Sequence, residues 1–423
     1  MNDASRPRTR SRALLTLASL TLAACAGPGS SPVAELEEWL AEPRGDRAPL
    51  ADQEFAMAAL SAGDVEPVRD LLWEDRKEAM RDDPLFEQWS DREFATGWSE
   101  GEQRETSMRF TVEEFGSAED GEKSLYIAMH GGGEAPASVN DEQWEIMQSR
   151  YRPEEGLYVV PRAPSNTAVL WYDAHALLGL KSLIRAAVLY GGVDSDRVYL
   201  IGYSAGADGI YYDGELLGHR LAGATASAGH PNWTNGYGLR NTRLQVQIGD
   251  QDHAYDRYNA VVAFIEQMDE WREQDPGGYE VDFVEHTGFG HQIDDLDTVD
   301  WLAQGTRDPS PDTVLFGAWG HPWGELRRTM YWLWMDVAPE TVGGAEARLD
   351  GDTVDLLIVD VPEIRVRLDD SMTDLDAPVT VRHDGEVVFE GVVERTIATL
   401  AETMAETDDP SLSYPAEVRV EAR

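Results

Sequence analysis

Apolar residues recur along the chain with two periods, and the change from one to the other divides it. Between Val33 and Met80 they fall three or four apart, as Leu36, Trp39 and Leu40, then Phe55, Met57, Ala58 and Leu60, then Val68, Leu71, Leu72 and Trp73. This is the spacing of helices that each bury one face, so two or three helices are expected in a segment over 33–104. Thr106 to Val112 alternates as a half-covered strand does. The runs Leu125–Met129, Gly156–Val160 and Val198–Ile201 are short and almost wholly apolar, as in strands covered on both faces, and Leu244–Ile248 and Val281–Glu285 are read as further strands of the series. Helical spacing returns between them, over Ala174–Tyr190 before the stop at Gly191-Gly192, over Ala205–Leu217, and again up to Trp271. Strands alternating with helices predict an α/β fold over 105–305, a mostly parallel sheet flanked by helices.

Beyond Arg307-Asp308-Pro309-Ser310-Pro311 the helical period is lost. Thr313 to Ala318 and Thr329 to Met335 are rich in β-branched and aromatic residues, and Ile364, Val366 and Leu368 alternate. Asp350-Gly351 and Asp384-Gly385 are hairpin turn signals. A small β-rich C-terminal domain is expected over 312–423, with one helix near Arg395 to Ala405. It carries no metal or nucleophile motif.

Two stretches carry chemistry. Val198-Tyr199-Leu200-Ile201-Gly202-Tyr203-Ser204-Ala205-Gly206 is a strand running into a serine framed by glycines, with a helix after it. A sharp strand-to-helix turn exposes such a serine, and glycine is needed where strand and helix come close. Leu125–Met129 runs into His130-Gly131-Gly132-Gly133. Acyl transfer builds negative charge on a carbonyl oxygen, and backbone N–H groups in a glycine loop can be preset around it; His130 is expected to brace that loop. A serine hydroxyl also needs an imidazole to take its proton and a carboxylate to orient the imidazole. Both are expected on turns at strand ends downstream, where Gly249-Asp250-Gln251-Asp252-His253 and His286-Thr287-Gly288-Phe289-Gly290-His291 lie. Asp250 and Asp252 share one turn, His286 and His291 the other. Trp171, Tyr203 and Trp233 are candidates for the pocket wall.

Taken in order, these four motifs resemble the α/β-hydrolase superfamily over 105–305, and within it the esterase branch of polyhydroxybutyrate depolymerase-like and feruloyl esterase-like proteins. The resemblance implies Ser204 as nucleophile, Asp252 as the acid by its Gly-x-x-Asp spacing, and His291 as the base. It implies an oxyanion hole from the N–H groups of Ala205 and of Gly131 or Gly132. The activity it implies is cleavage of a carboxylic ester through an acyl-enzyme. A prolyl-oligopeptidase-type peptidase would use the same residues, although no propeller-sized segment precedes them, and a binding lipoprotein could keep the fold without turnover.

The first residues add a compartment. Arg6, Arg8, Arg10 and Arg12 precede the apolar run Ala13–Ala24, in the order of a signal peptide, and Leu22-Ala23-Ala24-Cys25 resembles a bacterial lipobox. Cleavage after residue 24 and lipidation of Cys25, the only cysteine, would leave an exported protein tethered to a membrane through the linker 25–32. A formal charge of −44 speaks against a nucleic-acid partner, since phosphate binding needs a basic surface. The lysines are Lys77, Lys123 and Lys181 alone, and the acidic excess suits a saline habitat. No metal-ligand or nucleotide motif is present, so no cofactor is expected. The expected partners are a small or polymeric ester substrate and, through Cys25, a membrane.

Overall fold

The computed structural model describes residues 31–96, 106–234, 236–318, 328–336, 343–359 and 361–421; the expected leader and Cys25 lie outside them. The helical period at the start of the chain forms α1 (Pro32–Ala41), α2 (Glu54–Met57), α3 (Ala62–Ala79) and α4 (Pro84–Asp91). Ser31 caps α1 and Asp83 caps α4, each accepting a backbone N–H from the first turn, which satisfies a donor that the helix itself cannot.

Eight strands make the central sheet: β1 (Glu93–Ala95), β2 (Ser107–Phe115), β3 (Lys123–Met129), β4 (Gly156–Pro161), β5 (Val193–Tyr203), β6 (Gly223–Ser227), β7 (Arg243–Gly249) and β8 (Val281–His286). They lie in the order β1-β2-β4-β3-β5-β6-β7-β8. β2 is antiparallel to both neighbours, and every pair from β4 to β8 is parallel. The helices α5 (Ala137–Met147), α6 (Ala174–Tyr190), α7 (Ala205–Leu217) and α8 (Arg257–Gln274) lie between these strands, and α9 (Thr298–Leu302) follows β8. One sheet face buries Ile127, Val159, Leu200 and Val246 against Leu180, Ile210 and Phe264. The other buries Tyr126, Tyr158, Tyr199 and Ile201 against Met147, Val299 and Leu302. Because side chains alternate between faces, covering both explains why β3, β4 and the second half of β5 read as continuous apolar runs. The expected α/β architecture is therefore present, and β1 is a strand that the sequence pattern did not reveal.

The C-terminal part is a two-layer β structure. One sheet orders β9 (Thr313–Ala318), β12 (Gly343–Asp350), β13 (Thr353–Val359), β15 (Val379–His383) and β16 (Glu386–Gly391) as β16-β15-β13-β12-β9; the other orders β10 (Thr329–Met330), β11 (Leu333–Met335), β14 (Glu363–Leu368) and β17 (Ala416–Glu421) as β10-β11-β14-β17. Val314, Phe316, Val354, Val366, Val381 and Val418 share the core between them. The stretch Thr329–Met335 is not one strand. It breaks at Tyr331, whose φ is +52°, because the two aromatics there are held elsewhere: the Tyr331 hydroxyl donates to Gly218 O at 3.0 Å and the Trp332 indole N–H to Pro311 O at 2.8 Å.

The remaining helix, α10 (Ile397–Thr407), ties the two ends of the chain. Ile397, Leu400 and Met404 share a core with Leu36, Ala56, Leu60, Val68 and Leu72 of the N-terminal segment. α4 belongs instead to the central core, where Trp89 and Phe94 stack on Phe110 of β2 at 5.5 and 4.8 Å.

Candidate active site

The C-terminal ends of β3, β5, β7 and β8 bring the chemical motifs together. Ser204 stands between β5 and α7 with φ +57° and ψ −123°, a region that a side-chain-bearing residue adopts only under constraint. The constraint is visible in its neighbours. A Cβ on Gly202 would lie 2.4 Å from Gly206 O, and one on Gly206 would lie 2.0 Å from Met129 O, so both glycines are required for strand and helix to meet. The Ser204 N–H donates to Ser227 O at 2.9 Å, which pins the turn to β6.

His291 reaches Ser204 from the loop after β8. Its Nδ1–H donates to Asp252 Oδ2 at 2.7 Å, and the Ser204 hydroxyl donates to Nε2 at 2.9 Å. A carboxylate beside Nδ1 fixes the proton there and leaves Nε2 free to accept. Asp252 is buried to 2% exposure while the His291 side chain keeps 40%, so the acid is sheltered and the base faces solvent. The His291 loop is held by Tyr203, whose hydroxyl donates to His291 O at 2.9 Å and accepts the Ile293 N–H at 3.1 Å.

The two pairs left open by the sequence are separated by position. Asp250 accepts the Gly288 N–H at 2.7 Å and so stitches the histidine loop to its own turn. His286 stays on β8 with Nε2 at 2.9 Å from Gln247 Oε1. Asp252 and His291 are the members that meet Ser204.

The glycine loop wraps the same serine. A Cβ on Gly131 would stand 3.2 Å from Ser204 Cβ, and Gly132, at φ +129°, has no room for one because Asn140 Oδ1 lies 2.1 Å away. Asn140 is fully buried at the start of α5. Its Oδ1 accepts the Gly133 N–H and its Nδ2 donates to Gly133 O, each at 3.1 Å. Asn166 Oδ1 takes a second Nδ2 bond at 2.9 Å, and Arg162 donates to Asn166 in turn. Among the described residues no acceptor takes the N–H of Gly131, Gly132 or Ala205. His130 acts as the brace that was expected. Its Nε2 accepts the Ala163 N–H at 3.1 Å and Nδ1 donates to Gly131 O at 2.6 Å, a pattern open only to the neutral ring. Burial agrees, holding this imidazole down at about 4.

Two of the three pocket candidates have other work. Trp171 is fully buried; its indole N–H donates to His130 O at 2.8 Å and its ring meets His130 edge-on at 5.1 Å, so it supports the glycine loop from behind. Tyr203 is the anchor of the histidine loop. Trp233 is 74% exposed, edge-on to Tyr172 at 5.7 Å, and remains at the surface.

One turn along α7, burial pushes the Asp208 carboxyl up to about 6, opposed by the His230 N–H it accepts and by the charge of Arg257. The folded protein holds this proton to higher pH than an unfolded chain, whose carboxyl releases it near 3.8. Stability is therefore expected to fall as pH rises from about 4 to 6. Asp208→Asn should flatten that slope when urea midpoints are measured across the range.

Asn140, Arg162 and Arg257 were not singled out in the sequence. Asn140 and Arg257 lie on helices and Arg162 follows β4; their partners Gly133, Asp252 and Asn166 are near in the chain, but no motif spacing advertises them.

No family model and no curated protein matches the chain. Solved structures resemble it over about half its length. A thermostable esterase shares 15% identity over 51% of this chain and 64% of its own, with a TM-score of 0.38. A phospholipase/carboxylesterase from Dyadobacter fermentans shares 18% over 47% and 96%, with a TM-score of 0.34. A poly(3-hydroxybutyrate) depolymerase from Bordetella parapertussis shares 14% over 47% and 89%, with a TM-score of 0.35. Likenesses this distant carry no argument about chemistry, which rests on the side chains themselves.

Proposed function

We propose that the protein is a serine hydrolase that cleaves carboxylic esters through an acyl-enzyme. The observation that carries this reading is the hydrogen-bonded chain from Asp252 through His291 to a serine on a strained, glycine-framed turn. Ser204 Oγ attacks the ester carbonyl while His291 Nε2 takes its proton. The negative charge on the carbonyl oxygen is met by the N–H groups of Ala205 and of Gly131 or Gly132, which stand beside Ser204 without another acceptor. His291 then returns the proton to the departing alcohol, and water repeats the sequence to free the acid. Asp252 stays ionised and stabilises the imidazolium. The test is labelling with a fluorophosphonate probe. A hydrolase takes the label on Ser204, as read by mass spectrometry of the peptide, whereas an unlabelled serine in folded protein would leave only a binding role.

The leader-like start of the sequence and its lipobox-like Leu22-Ala23-Ala24-Cys25 support an exported protein tethered by lipid on Cys25. Labelled palmitate is expected to enter the protein in bacteria, and Cys25→Ala is expected to abolish both the label and recovery in the membrane fraction. A labelled Cys25→Ala protein would end that reading.

A further inference from the structure

We infer that Arg257 is the positioning residue of the triad acid and that its charge sets the acid limb of the pH–rate profile, an inference that rests on the hydrolase reading above. The Asp252 carboxylate is almost fully buried, and its two oxygens are shared between two donors. Oδ2 takes the His291 Nδ1–H, and Oδ1 takes Arg257 Nη1 at 2.5 Å. Among the described residues no backbone N–H donates to this carboxylate; the Asp252 backbone is engaged through its own N–H to Gly249 O and through its carbonyl to the Tyr258 N–H. Without Arg257 the acid would keep the histidine as its one donor and would be free to turn about its own χ angles.

The chain goes out of its way to place this guanidinium. Between the triad acid and α8, Tyr255 and Asp256 both adopt left-handed backbone, with φ +57° and +60°. Two such residues in succession, neither a glycine, are a conformation that persists only where the surroundings enforce it. The turn brings the first residue of α8 back beneath Asp252, where its side chain is 10% exposed.

The same geometry has an electrostatic consequence. Arg257 Nη1 stands 3.2 Å from His291 Nδ1, and since Nδ1 carries the proton shared with Asp252, this contact is a cation against the ring rather than a second hydrogen bond. The imidazolium formed during acylation therefore faces an ion pair instead of a bare carboxylate. Arginine remains charged throughout the working pH range, so the effect does not titrate away. The other groups around the pair are Ser204 and Tyr203 from the end of β5, Tyr255, whose ring lies 5.6 Å from the guanidinium, Asp256 from the start of α8, and Asp208 and His230, which both feel the charge of Arg257. In a chain of net charge −44, Arg257 is, among the described residues, the cation in direct contact with the triad.

The test compares wild type with Arg257→Met, Arg257→Gln and Arg257→Lys, using p-nitrophenyl acetate from pH 5 to 9. Arg257→Met is expected to lower kcat by about 10²-fold with KM little changed. It should also move the acid limb of kcat/KM upward by about one pH unit, because a cation against the base has gone. Arg257→Gln, which keeps a donor for Asp252 without the charge, is expected to move the limb while recovering part of kcat. Arg257→Lys should leave the limb where it is. A purely structural arginine would reduce activity without moving the limb, so folded Met or Gln variants with the wild-type limb would overturn the inference. If the Met variant does not fold, the Gln and Lys pair decides by the same criterion. A wild type inert toward both ester and fluorophosphonate would refute the hydrolase reading and this inference with it, whereas an active wild type with an unmoved limb in the variants refutes the inference alone.

Discussion

Ser204→Ala is expected to lower kcat for p-nitrophenyl acetate by about a millionfold, and Asp252→Asn by about 10⁴-fold. The two numbers differ for a physical reason. Removing the hydroxyl removes the attacking atom, and what remains is water acting beside the preset N–H groups of the glycine loop. Replacing the carboxylate leaves every atom of the nucleophile and base in place. An amide, however, can turn its NH₂ toward His291 Nδ1, which then accepts. The proton moves to Nε2, the atom that must receive the Ser204 proton. Asp250→Asn makes the control, because the Asp250 carboxylate accepts the Gly288 N–H rather than a triad atom; a loss within about tenfold is expected for a loop contact of this kind. Stopped assays with purified variants, checked for folding by circular dichroism, decide the matter. If Asp250→Asn were the more damaging change, the assignment of the acid would be reversed.

The second large effect lies below the sheet and concerns stability. Arg307 and Asp409 are both fully buried and meet in a two-pronged contact, Nη1 to Oδ2 at 2.9 Å and Nη2 to Oδ1 at 3.1 Å. Arg307 Nε also donates to Asp196 Oδ1 at 2.8 Å and Nη1 to His219 O at 2.8 Å, and Arg220 faces Asp409 at 3.1 Å. The cluster joins β5, the segment after α9 and the chain just past α10. Breaking a buried pair by removing one partner costs about 3–5 kcal/mol, and the larger loss is expected from Asp409→Asn. That change leaves two buried guanidiniums facing each other, while Arg307→Met leaves Asp409 with Arg220. The wild-type pair should also be acid-sensitive. Burial alone would raise the Asp409 carboxyl, yet Arg307 and Arg220 more than reverse this and hold it well below the ordinary carboxylate range. Its contribution is present above the unfolded value of about 3.8 and lost as pH falls below it. Urea midpoints at pH 7 should drop in both variants, and the gap to wild type should narrow toward pH 3. Midpoints equal to wild type at pH 7 would show that the cluster contributes nothing net.

What was legible in the sequence follows from the range over which each signal acts. Ala174–Tyr190 and Ala205–Leu217 are helices with the bounds that their spacing predicts, because a local period and a local stop fix them. Ser204, Asp252 and His291 were legible because each follows an apolar strand and stands beside glycines that the backbone requires. Asp250 and His286 could not be set aside from sequence, since only the twist of each turn decides which side chain reaches the serine. Trp171 and Tyr203 show the limit most plainly. An aromatic beside a catalytic motif has the same sequence whether it lines the pocket or braces the loop behind it, and here the partner atoms, His130 O and His291 O, decide. β1 was missed because Glu93–Ala95 is too short to show a period; it forms by pairing with β2 and by stacking Phe94 on Phe110. The break at Tyr331 has the same character, a local β preference overridden by two distant carbonyls.

The clasp between α10 and the first three helices bears on the order in which the protein becomes folded. Leu36, Leu60 and Val68 are made well before the side chains that cover them, Ile397, Leu400 and Met404. The polar seam of the same clasp spans similar distances: Arg69 donates to Asp369, 300 positions away, and to Ser413, 344 away. Contacts so far apart in sequence form late, since a long loop must close before they repay its cost. The early helices are therefore expected to keep an apolar face uncovered while the central sheet assembles, and to become protease-resistant only when α10 docks on them. A chain with a fully formed sheet would thus exist for a time in a state whose N-terminal helices a holding chaperone can still grasp.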